Sequence, residues 1–334
     1  MCAALFLQCE QEQGPSPLLV DIPAGQGHEL LSEYNFFTGT LADLEPNEGV
    51  LPYDLNTALF SDYALKKRFI YVPNGQQIPF DAENTLELPV GSVLIKHFYY
   101  PGDVYIETRL LIRGETGWRP ETYIWDEDRS EARRTVIGGS REMSVNVDGQ
   151  LQVFNYSIPN QNQCKNCHAF NGQINPIGPV VPNLNKDYSY SDGTANQIDK
   201  WIEAGILQGH GSSAVPEWPK LEDESASLND RARAYLAVNC SSCHRLEGSA
   251  ANSGLYLEYD NMDSLSAGFY KTPVAAGTGS GGFQYVIDPG NAEESILYYR
   301  MNTSDVEARM PELGRELIHM EGVELIREWI DSME

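Results

Sequence analysis

The first half of the chain is patterned as a series of short β-strands. Runs rich in β-branched and aromatic residues occur at residues 68–72, 92–99 and 104–112, and residues of these types favour strands. Asn-Gly, Pro-Gly and Gly-Glu-Thr-Gly segments follow or separate the runs and are typical of turns. Strands at this spacing favour a sandwich or a small barrel. We therefore expect an all-β domain at residues 28–158.

The second half shows a different pattern, in which apolar residues recur at helical spacing. Helices are predicted at residues 194–204, 228–238 and 322–331, with long loops rich in Gly, Pro and Asn between them. The segment 197–203 with Trp201 parallels the segment 325–331 with Trp329, which indicates a weak internal repeat. We expect a short unit at residues 159–220 and a mainly α domain at residues 221–334.

The pattern as a whole predicts an α+β protein of several domains, in which the sandwich or barrel-like domain precedes the two helical units. The length of 334 residues is enough for two or three domains. The formal net charge of −25 argues against a nucleic-acid partner, because such binding needs a basic surface. An acidic surface favours solubility, or steers a basic partner protein toward the chain.

Residues 1–12 predict the remnant of a signal peptide or a lipoprotein anchor. An apolar stretch runs into a polar one that begins near Glu10, and no basic start precedes it. Cys9 is the candidate for lipid attachment, although Gln8 stands where such sites prefer a small residue. We expect a periplasmic or extracellular location, either as a secreted protein or as an outer-membrane lipoprotein.

The four cysteines outside this leader belong to two copies of the motif CxxCH. The residues are Cys164, Cys167 and His168 in the first copy, and Cys240, Cys243 and His244 in the second. CxxCH is the attachment sequence of c-type haem, in which both cysteines bind the porphyrin and the histidine ligates the iron. Zinc sites need closer ligand sets, and a redox pair needs a βαβ context. The sequence therefore predicts two covalently bound haems.

The second motif is accompanied by a candidate sixth iron ligand. Met310 lies in a loop before the last helix and is followed by Pro311, and methionine is the usual second axial ligand in cytochromes c. Met301 is the alternative. The helix leading into Cys240, the Met310-Pro311 pair and the closing helix with Trp329 resemble the monohaem cytochrome c family. The resemblance covers about the last third of the chain and implies a cytochrome c-like domain.

The first motif departs from that family pattern, because no methionine lies between His168 and Met262 and no helix is predicted before Cys164. Pro179 follows His168 by eleven residues, and the resemblance implies that its carbonyl binds the second ring nitrogen of that histidine. We expect the first haem to rest on the β domain. Its sixth ligand stays open among three residues, or is absent altogether. The three are Met143, His97 and His210.

Taken whole, the chain resembles a bacterial family of secreted di-haem proteins that join a β domain to two CxxCH motifs. The resemblance is carried by residues 91–98, 122–128, 177–179, 196–198 and 231–244. It implies that the chain accepts electrons released by carbohydrate oxidation, and that its redox partner is a protein such as a dehydrogenase.

Three functions follow from these features. The leading hypothesis is a di-haem electron carrier. The second is a peroxidase-like di-haem enzyme with an open first haem. The third is a module that binds a glycan or a partner protein, with Trp118, Tyr123 and Trp125 as a possible sugar platform.

Overall fold

A computed structural model describes residues 18–212, 214–274 and 276–334. The predicted leader at residues 1–12 and Cys9 lie outside these ranges. Within the described ranges, no helix combines the length and the apolar character that crossing a membrane requires.

The described residues form fourteen strands and six helices, interrupted by short 3-10 turns. Strands β1 to β14 are Phe37–Thr38, Glu45–Pro46, Val50–Tyr53, Leu65–Tyr71, Val93–Tyr100, Val104–Gly114, Gly117–Trp125, Ala132–Thr135, Gly139–Val147, Gln150–Ile158, Ala169–Phe170, Gln173–Ile174, Asp187–Tyr190 and Gly193–Asn196. Helices α1 to α6 are Gln161–His168, Val181–Leu184, Gln197–Glu203, Leu228–Asn239, Ile296–Met301 and Met320–Asp331.

The largest element is one antiparallel sheet in which six strands follow one another in the order β3-β4-β5-β6-β7-β8. The strands predicted at 68–72, 92–99 and 104–112 are confirmed as β4, β5 and β6. Strands β3 and β8 are the two edges and do not pair with each other, so the predicted barrel is wrong. The other sheets of the described residues have two strands each, so a sandwich of two large sheets does not form either.

One face of the sheet is covered by the segment that precedes it. Because side chains alternate along a strand, Phe69, Val93 and Ile95 point to the same side, where they pack with Leu31 and Tyr34. This layer is apolar and fully enclosed, and it explains why β4 to β6 are rich in large hydrophobic residues.

The opposite face packs against the unit that carries the first motif. Ile70 and Leu94 are buried against Val181 of α2 and Trp201 of α3, and Trp201 is fully buried. The helix predicted at 194–204 is confirmed as α3, which starts at Gln197 because β14 occupies the preceding residues. The unit at 159–220 is therefore built on the sheet.

A separate core lies in the last third of the chain, where α4 and α6 cross. The helices predicted at 228–238 and 322–331 are confirmed as α4 and α6. A Cβ atom on Gly322 would lie 2.3 Å from the hydroxyl of Tyr235, so glycine permits the close approach of the two helices. Trp329 is buried in this core, as Trp201 is in its own.

Hydrogen bonds from the segment 60–63 connect the first half of the chain to the last third. Asp62 Oδ1 accepts hydrogen bonds from the backbone N–H of Glu316 at 2.7 Å and of Leu317 at 2.8 Å. The Phe60 N–H donates to Asn239 Oδ1 at 2.8 Å. These bonds fix the end of α4 and the loop before α6, and both lead into the site described next.

Candidate functional site

Both CxxCH motifs open onto one continuous cavity of about 1470 Å³. All six predicted attachment and ligand residues line it, namely Cys164, Cys167, His168, Cys240, Cys243 and His244. Aliphatic side chains from both halves of the chain complete the wall, including Leu94, Leu111, Val238, Leu257, Val286 and Leu297. A pocket for one small ligand usually measures roughly 300–1,000 Å³, so this cavity has room for more than one group.

The first motif lies in α1, a helix that the sequence did not predict. The Asn160 side chain accepts a hydrogen bond from the Gln163 N–H at 2.9 Å, and the Gln163 side chain accepts one from the Asn160 N–H at 2.9 Å. This reciprocal capping stabilises the first turn of a short helix. The helix then presents Cys164 and Cys167, which are three residues apart, to the cavity.

The two motifs touch each other, although they lie far apart in sequence. Ser249 Oγ donates a hydrogen bond of 2.8 Å to the carbonyl oxygen of Asn166, and Cys243 Sγ lies 3.5 Å from the same oxygen. The Arg245 guanidinium lies over the Phe170 ring, 4.2 Å from its centroid. Residues that follow the second motif therefore pack directly on the first.

The second cysteines of the two motifs, Cys167 and Cys243, are close enough for each thiol to influence the pKa of the other. This contact, together with burial, raises the pKa of Cys167. The same interaction lowers the pKa of Cys243, with Ser249 and Ser242 contributing in the same direction. The two motifs thus form one composite site with adjacent thiols.

His168 is oriented by a carbonyl other than the predicted one. Its Nδ1 lies 2.8 Å from the carbonyl oxygen of Asn175, whereas the Pro179 carbonyl accepts a hydrogen bond from the Leu86 N–H at 3.0 Å. The predicted role of Pro179 is therefore taken by Asn175, although Pro179 does line the cavity. The hairpin of β11 and β12 folds back immediately after the motif, which brings Asn175 close to the ring.

The ring of His168 is held in the form that a metal ligand needs. A carbonyl has no proton to donate, so Nδ1 carries the hydrogen and Nε2 keeps its lone pair. Burial lowers the pKa of His168 to about 4 and outweighs the opposing effect of the Asn175 hydrogen bond. The imidazole is therefore neutral near pH 7.

His244 has a similar environment in the second motif. Burial lowers its pKa, and the positive charge of Arg300 adds to the effect. A hydrogen bond with the backbone of Leu255 acts in the opposite direction, and Ser253 Oγ lies 3.5 Å from Nδ1. Both histidines are therefore neutral at the cavity wall.

Met310 lines the cavity from the loop before α6, as the sequence predicts. Its N–H donates a hydrogen bond of 2.8 Å to the Arg300 carbonyl, and Arg315 donates to the same carbonyl at 3.0 Å. Met301, the alternative, also reaches the cavity wall but packs in the core between α4 and α6. Met310 has the freer thioether of the two.

The three residues considered as sixth ligand of the first haem do not line the cavity. His97 points to the other face of the sheet, where Thr108 Oγ1 binds its Nδ1 at 3.0 Å. Met143 is buried with Phe154 in the cluster of the β9–β10 hairpin. His210 lies against the Phe80 ring. Of the alternatives left open for the sixth ligand, these three residues therefore do not reach the cavity in the structure.

A row of three basic side chains on the sheet was not predicted. Arg68, Lys96 and Arg109 stand directly opposite one another on β4, β5 and β6, and all three line the cavity. The sequence carried a signal for this row, since Lys96 follows three aliphatic residues in β5. Lysine is rarely buried in a central strand unless its charge has a partner, so its presence there points to a specific role.

Three further arginines line the cavity near the second motif, namely Arg245, Arg300 and Arg315. Burial lowers the pKa of each, and none of them forms an ion pair with a carboxylate of the described residues. Arg315 is only 3% exposed. Glu258 and Glu312 line the same cavity and act on Arg245 and Arg300, but they form no direct ion pair with them, so the guanidinium groups remain able to bind an anionic group.

His319 is another cavity residue that the sequence analysis missed. Its Nδ1 lies 3.0 Å from the Tyr235 hydroxyl, its Nε2 lies 3.6 Å from Glu321 Oε2, and its ring stacks on Phe60 with centroids 4.2 Å apart. The stacking on Phe60 makes His319 a contact between the two halves of the chain at the start of α6.

The proposed sugar platform is not formed. Tyr123 and Trp125 are buried in the core on the far side of the sheet, and the Tyr123 hydroxyl is bound to the His28 carbonyl at 2.7 Å. Trp118 is half-buried, with the Arg113 guanidinium over its ring. These aromatic side chains stabilise the β region and do not present a shared surface.

In the described part of the chain, no group of three or more His, Cys, Asp or Glu residues is placed to hold a metal ion. Comparison with protein-family models, with characterised proteins and with solved structures finds no match for this chain.

Proposed function

We propose that the chain is a di-haem c-type cytochrome that transfers electrons. The observation that carries the proposal is the shared cavity, into which both CxxCH motifs direct two thiols and one neutral imidazole each. Haem, when bound, supplies a one-electron iron couple in each half of the cavity. The last third of the chain, with α4 leading into Cys240, corresponds in this proposal to a cytochrome c-like domain.

The residues of the cavity fit such a group in size, polarity and charge. The cysteine pairs hold the porphyrin covalently, and the aliphatic wall excludes water from its faces. Arg245, Arg300 and Arg315 would bind propionate carboxylates, because none of the three is paired directly with a carboxylate of the described residues. The fit does not depend on Pro179, because Asn175 orients the ring of His168.

On the second motif, Met310 and His244 line the same cavity and would together hold the haem iron. A thioether favours the reduced iron and so raises the reduction potential of a His/Met site. The hydrogen bonds from Met310 and Arg315 to the Arg300 carbonyl hold the loop in place. This half of the cavity has the properties of an electron-transfer site.

The contact between the motifs supports electron exchange inside the molecule. Cys167 and Cys243 are adjacent, and Ser249 bonds the two motif backbones together. The protein therefore holds the two attachment points close together. We propose that the two sites work as a unit and that neither serves as an independent carrier.

The location and the partner are also part of the proposal. Covalent haem attachment and the predicted leader support a periplasmic or extracellular protein, with lipid attachment at Cys9 as a variant. The net charge of −25 favours a redox partner with a basic docking surface. A dehydrogenase that oxidises carbohydrates is the partner class implied by the family resemblance.

A peroxidase-like enzyme is the competing function, because the three ligands considered for the first haem lie outside the cavity. Visible spectra of the purified holoprotein, with and without carbon monoxide and peroxide, distinguish the two. Two low-spin haems that ignore carbon monoxide and peroxide support the electron carrier. A high-spin haem that binds carbon monoxide and turns over peroxide would show the enzyme instead.

A further inference from the structure

One face of the six-stranded sheet presents a row of polar side chains to the cavity. The row crosses five strands in direct register, from Tyr53 on β3 through Arg68, Lys96 and Arg109 to Thr122 on β7, and all of these residues line the cavity. Side chains that lie directly opposite one another point to the same face of a sheet. The row is therefore a continuous wall of hydrogen-bond donors with a lysine at its centre.

The carboxylate that binds Arg68 is shared with a second cation. Asp54 Oδ1 accepts a hydrogen bond from Arg68 Nη1 at 2.8 Å, and Asp54 Oδ2 lies 3.0 Å from Lys186 Nζ. One negative charge thus serves two positive ones at this end of the row.

The carboxylate at the other end of the row belongs to Arg109. Glu107 binds the Nε and Nη2 atoms of Arg109, and it also accepts a hydrogen bond of 2.8 Å from the Tyr156 hydroxyl. Within the described residues, Lys96 Nζ makes neither a hydrogen bond nor an ion pair. Together with Lys96, four cationic side chains therefore share two directly bound carboxylates.

Other carboxylates of the cavity lining do not neutralise this row. Among the described residues, none of them forms an ion pair with Arg68, Lys96 or Arg109. Glu121 lies on the same sheet, but it is bound by Arg119 at 3.2 Å and by Arg134 at 3.5 Å. A surplus of positive charge on a buried wall favours an anionic ligand.

Several donors of the row remain available to such a ligand. Arg68 is only 4% exposed, and its Nε is enclosed without a hydrogen-bond partner. In the described part of the chain, Nη2 of Arg68, Nη1 of Arg109 and the hydroxyl groups of Tyr53 and Thr122 also lack partners, and these atoms are not enclosed. The row thus offers charged and neutral donors to the cavity at the same time.

A row of aliphatic side chains lies beside the polar row on the same face. Ile70, Leu94 and Leu111 lie directly opposite one another, two residues along each strand from the basic side chains. Because side chains alternate with a period of two, they share the face of the basic row, and Leu94 and Leu111 line the cavity. The wall therefore suits a molecule that has both an apolar body and an acidic group.

We propose that this wall binds the carboxylate group of a molecule whose apolar body lies on Leu94 and Leu111. Neighbouring strands are about 4.8 Å apart, so the two oxygens of one carboxylate can bind Lys96 and one adjacent guanidinium together. Such charge-assisted hydrogen bonds are the strong ones in proteins. An inorganic phosphate would satisfy the basic row but would leave the aliphatic row uncovered.

Two molecules have this chemistry. One is the haem of the first motif through a propionate, and this source rests on the proposed function. Helix α1 is held on β7 by a hydrogen bond of 3.1 Å from Gln161 Nε2 to the Pro120 carbonyl, two residues from Thr122, whereas the three arginines proposed to bind propionates lie near the second motif. The other is a free apolar carboxylic acid, which does not depend on haem.

The free acid is tested by calorimetric titration of the purified holoprotein with octanoate, and with octanol as the neutral probe. If a free acid occupies the wall, octanoate should bind more tightly than octanol. Lys96→Met should weaken octanoate binding by about tenfold or more, since it removes a charged hydrogen-bond donor. Lys96→Arg keeps the charge and should retain most of the affinity.

The haem propionate is tested by resonance Raman spectra of the same proteins. If a propionate occupies the wall, octanoate should not bind, and Lys96→Met should shift a propionate-bending band that Lys96→Arg shifts less. Lys67→Met is the matched control for both tests. It removes one positive charge from β4, but Lys67 lies opposite His97 and outside the cavity lining, so binding and spectra should stay as in the wild type.

The proposal is overturned if the propionate bands of Lys96→Met match those of the wild type and octanoate either does not bind or binds both proteins equally. Inorganic phosphate that competes with octanoate at equal affinity would also overturn it, because the aliphatic row would then contribute nothing. A crystal structure of the wild-type holoprotein grown with octanoate needs no variant. The absence of any ligand carboxylate within about 4 Å of Lys96 Nζ would contradict the proposal there.

Failure of the proposed function would look different. If mass spectrometry finds no haem attached at Cys164 and Cys167, the proposed function falls at the first site, and the octanoate titration still tests the wall. If haem is attached there but neither source occupies the wall, only the assignment of the carboxylate site is wrong.

Discussion

Ser249 Oγ donates a hydrogen bond of 2.8 Å to the carbonyl oxygen of Asn166, and this bond joins two motifs that are separated by more than seventy residues. The contact is possible because segment 60–63 of the first half holds the end of α4 through Asn239. Two sites that appear independent in the sequence are therefore parts of one cavity.

The first prediction concerns the coupling between the two sites. Because the motifs are in contact, reduction at one site should make reduction at the other harder. Two unit charges about 10 Å apart at an effective dielectric constant of about 20 interact by about 1.7 kcal/mol, or about 70 mV for one electron. A spectroelectrochemical titration should thus be broad in the wild type and follow a single one-electron curve in Cys164→Ala/Cys167→Ala. Independent sites would instead give the second haem the same potential in both proteins.

The second prediction concerns Met310. Met310→Ala should remove the thioether from the second site, make that haem high-spin and lower its potential by at least about 60 mV, which is tenfold in the equilibrium constant. Met301→Leu is the control, because Met301 packs in the core and a volume-conserving change there costs less than about 1.5 kcal/mol. If Met301→Leu changed the spectrum and Met310→Ala did not, the two roles would be reversed.

The third prediction concerns the loop that carries Met310. Asp62 accepts two backbone hydrogen bonds from this loop, and each bond to a charged acceptor contributes roughly 1.5–3 kcal/mol. Asp62→Ala should therefore lower the free energy of unfolding by about 3 kcal/mol in a denaturant titration. Asp62→Asn keeps an acceptor oxygen and should lose less than half of that. Equal losses in both variants would mean that the hydrogen bonds are not the cause.

The fourth prediction concerns the pH dependence of stability at His97, which we assign to the core. Burial, with a smaller contribution from Lys67, lowers the pKa of His97 to about 3 from 6.5. Below pH 6.5 the unfolded chain binds a proton that the folded chain rejects, so stability at this site falls as the pH drops from about 6.5 to about 3. The wild type should lose up to about 1.4 kcal/mol per pH unit more than His97→Gln across this window.

Denaturant titrations at several pH values between 4 and 7 measure that difference. The visible spectrum of His97→Gln should match that of the wild type, because the ring faces away from the cavity. Parallel stability profiles, or a changed haem spectrum, would contradict this assignment.

The sequence predicted local structure better than it predicted how the parts meet. The helical periodicity around Trp201 and Trp329 and the β-branched runs of β4 to β6 located these elements closely, because their patterns depend on local burial. The open sheet was missed, since closure into a barrel depends on the pairing of β3 with β8 and not on any local pattern.

In the candidate site, too, features with a local sequence pattern were predicted, whereas features that depend on the packing of distant segments were not. The two CxxCH motifs were recognised because their residue types lie at a short fixed spacing, and Met310 was proposed from its place in the loop before the last helix. Asn175 was missed because it acts through its backbone, which carries no sequence signal. His97 was considered as a ligand on its residue type alone, whereas the alternation of β5 turns Lys96 toward the cavity and His97 away from it.

The central claim is tested most directly by counting covalently attached haems. The chain would be produced behind a working leader in a bacterial host that matures c-type cytochromes, and its intact mass measured beside Cys164→Ala/Cys167→Ala and Cys240→Ala/Cys243→Ala. Two haems in the wild type and one in each variant are predicted. A wild-type chain that carries no covalent haem under conditions that mature a control cytochrome would contradict the account.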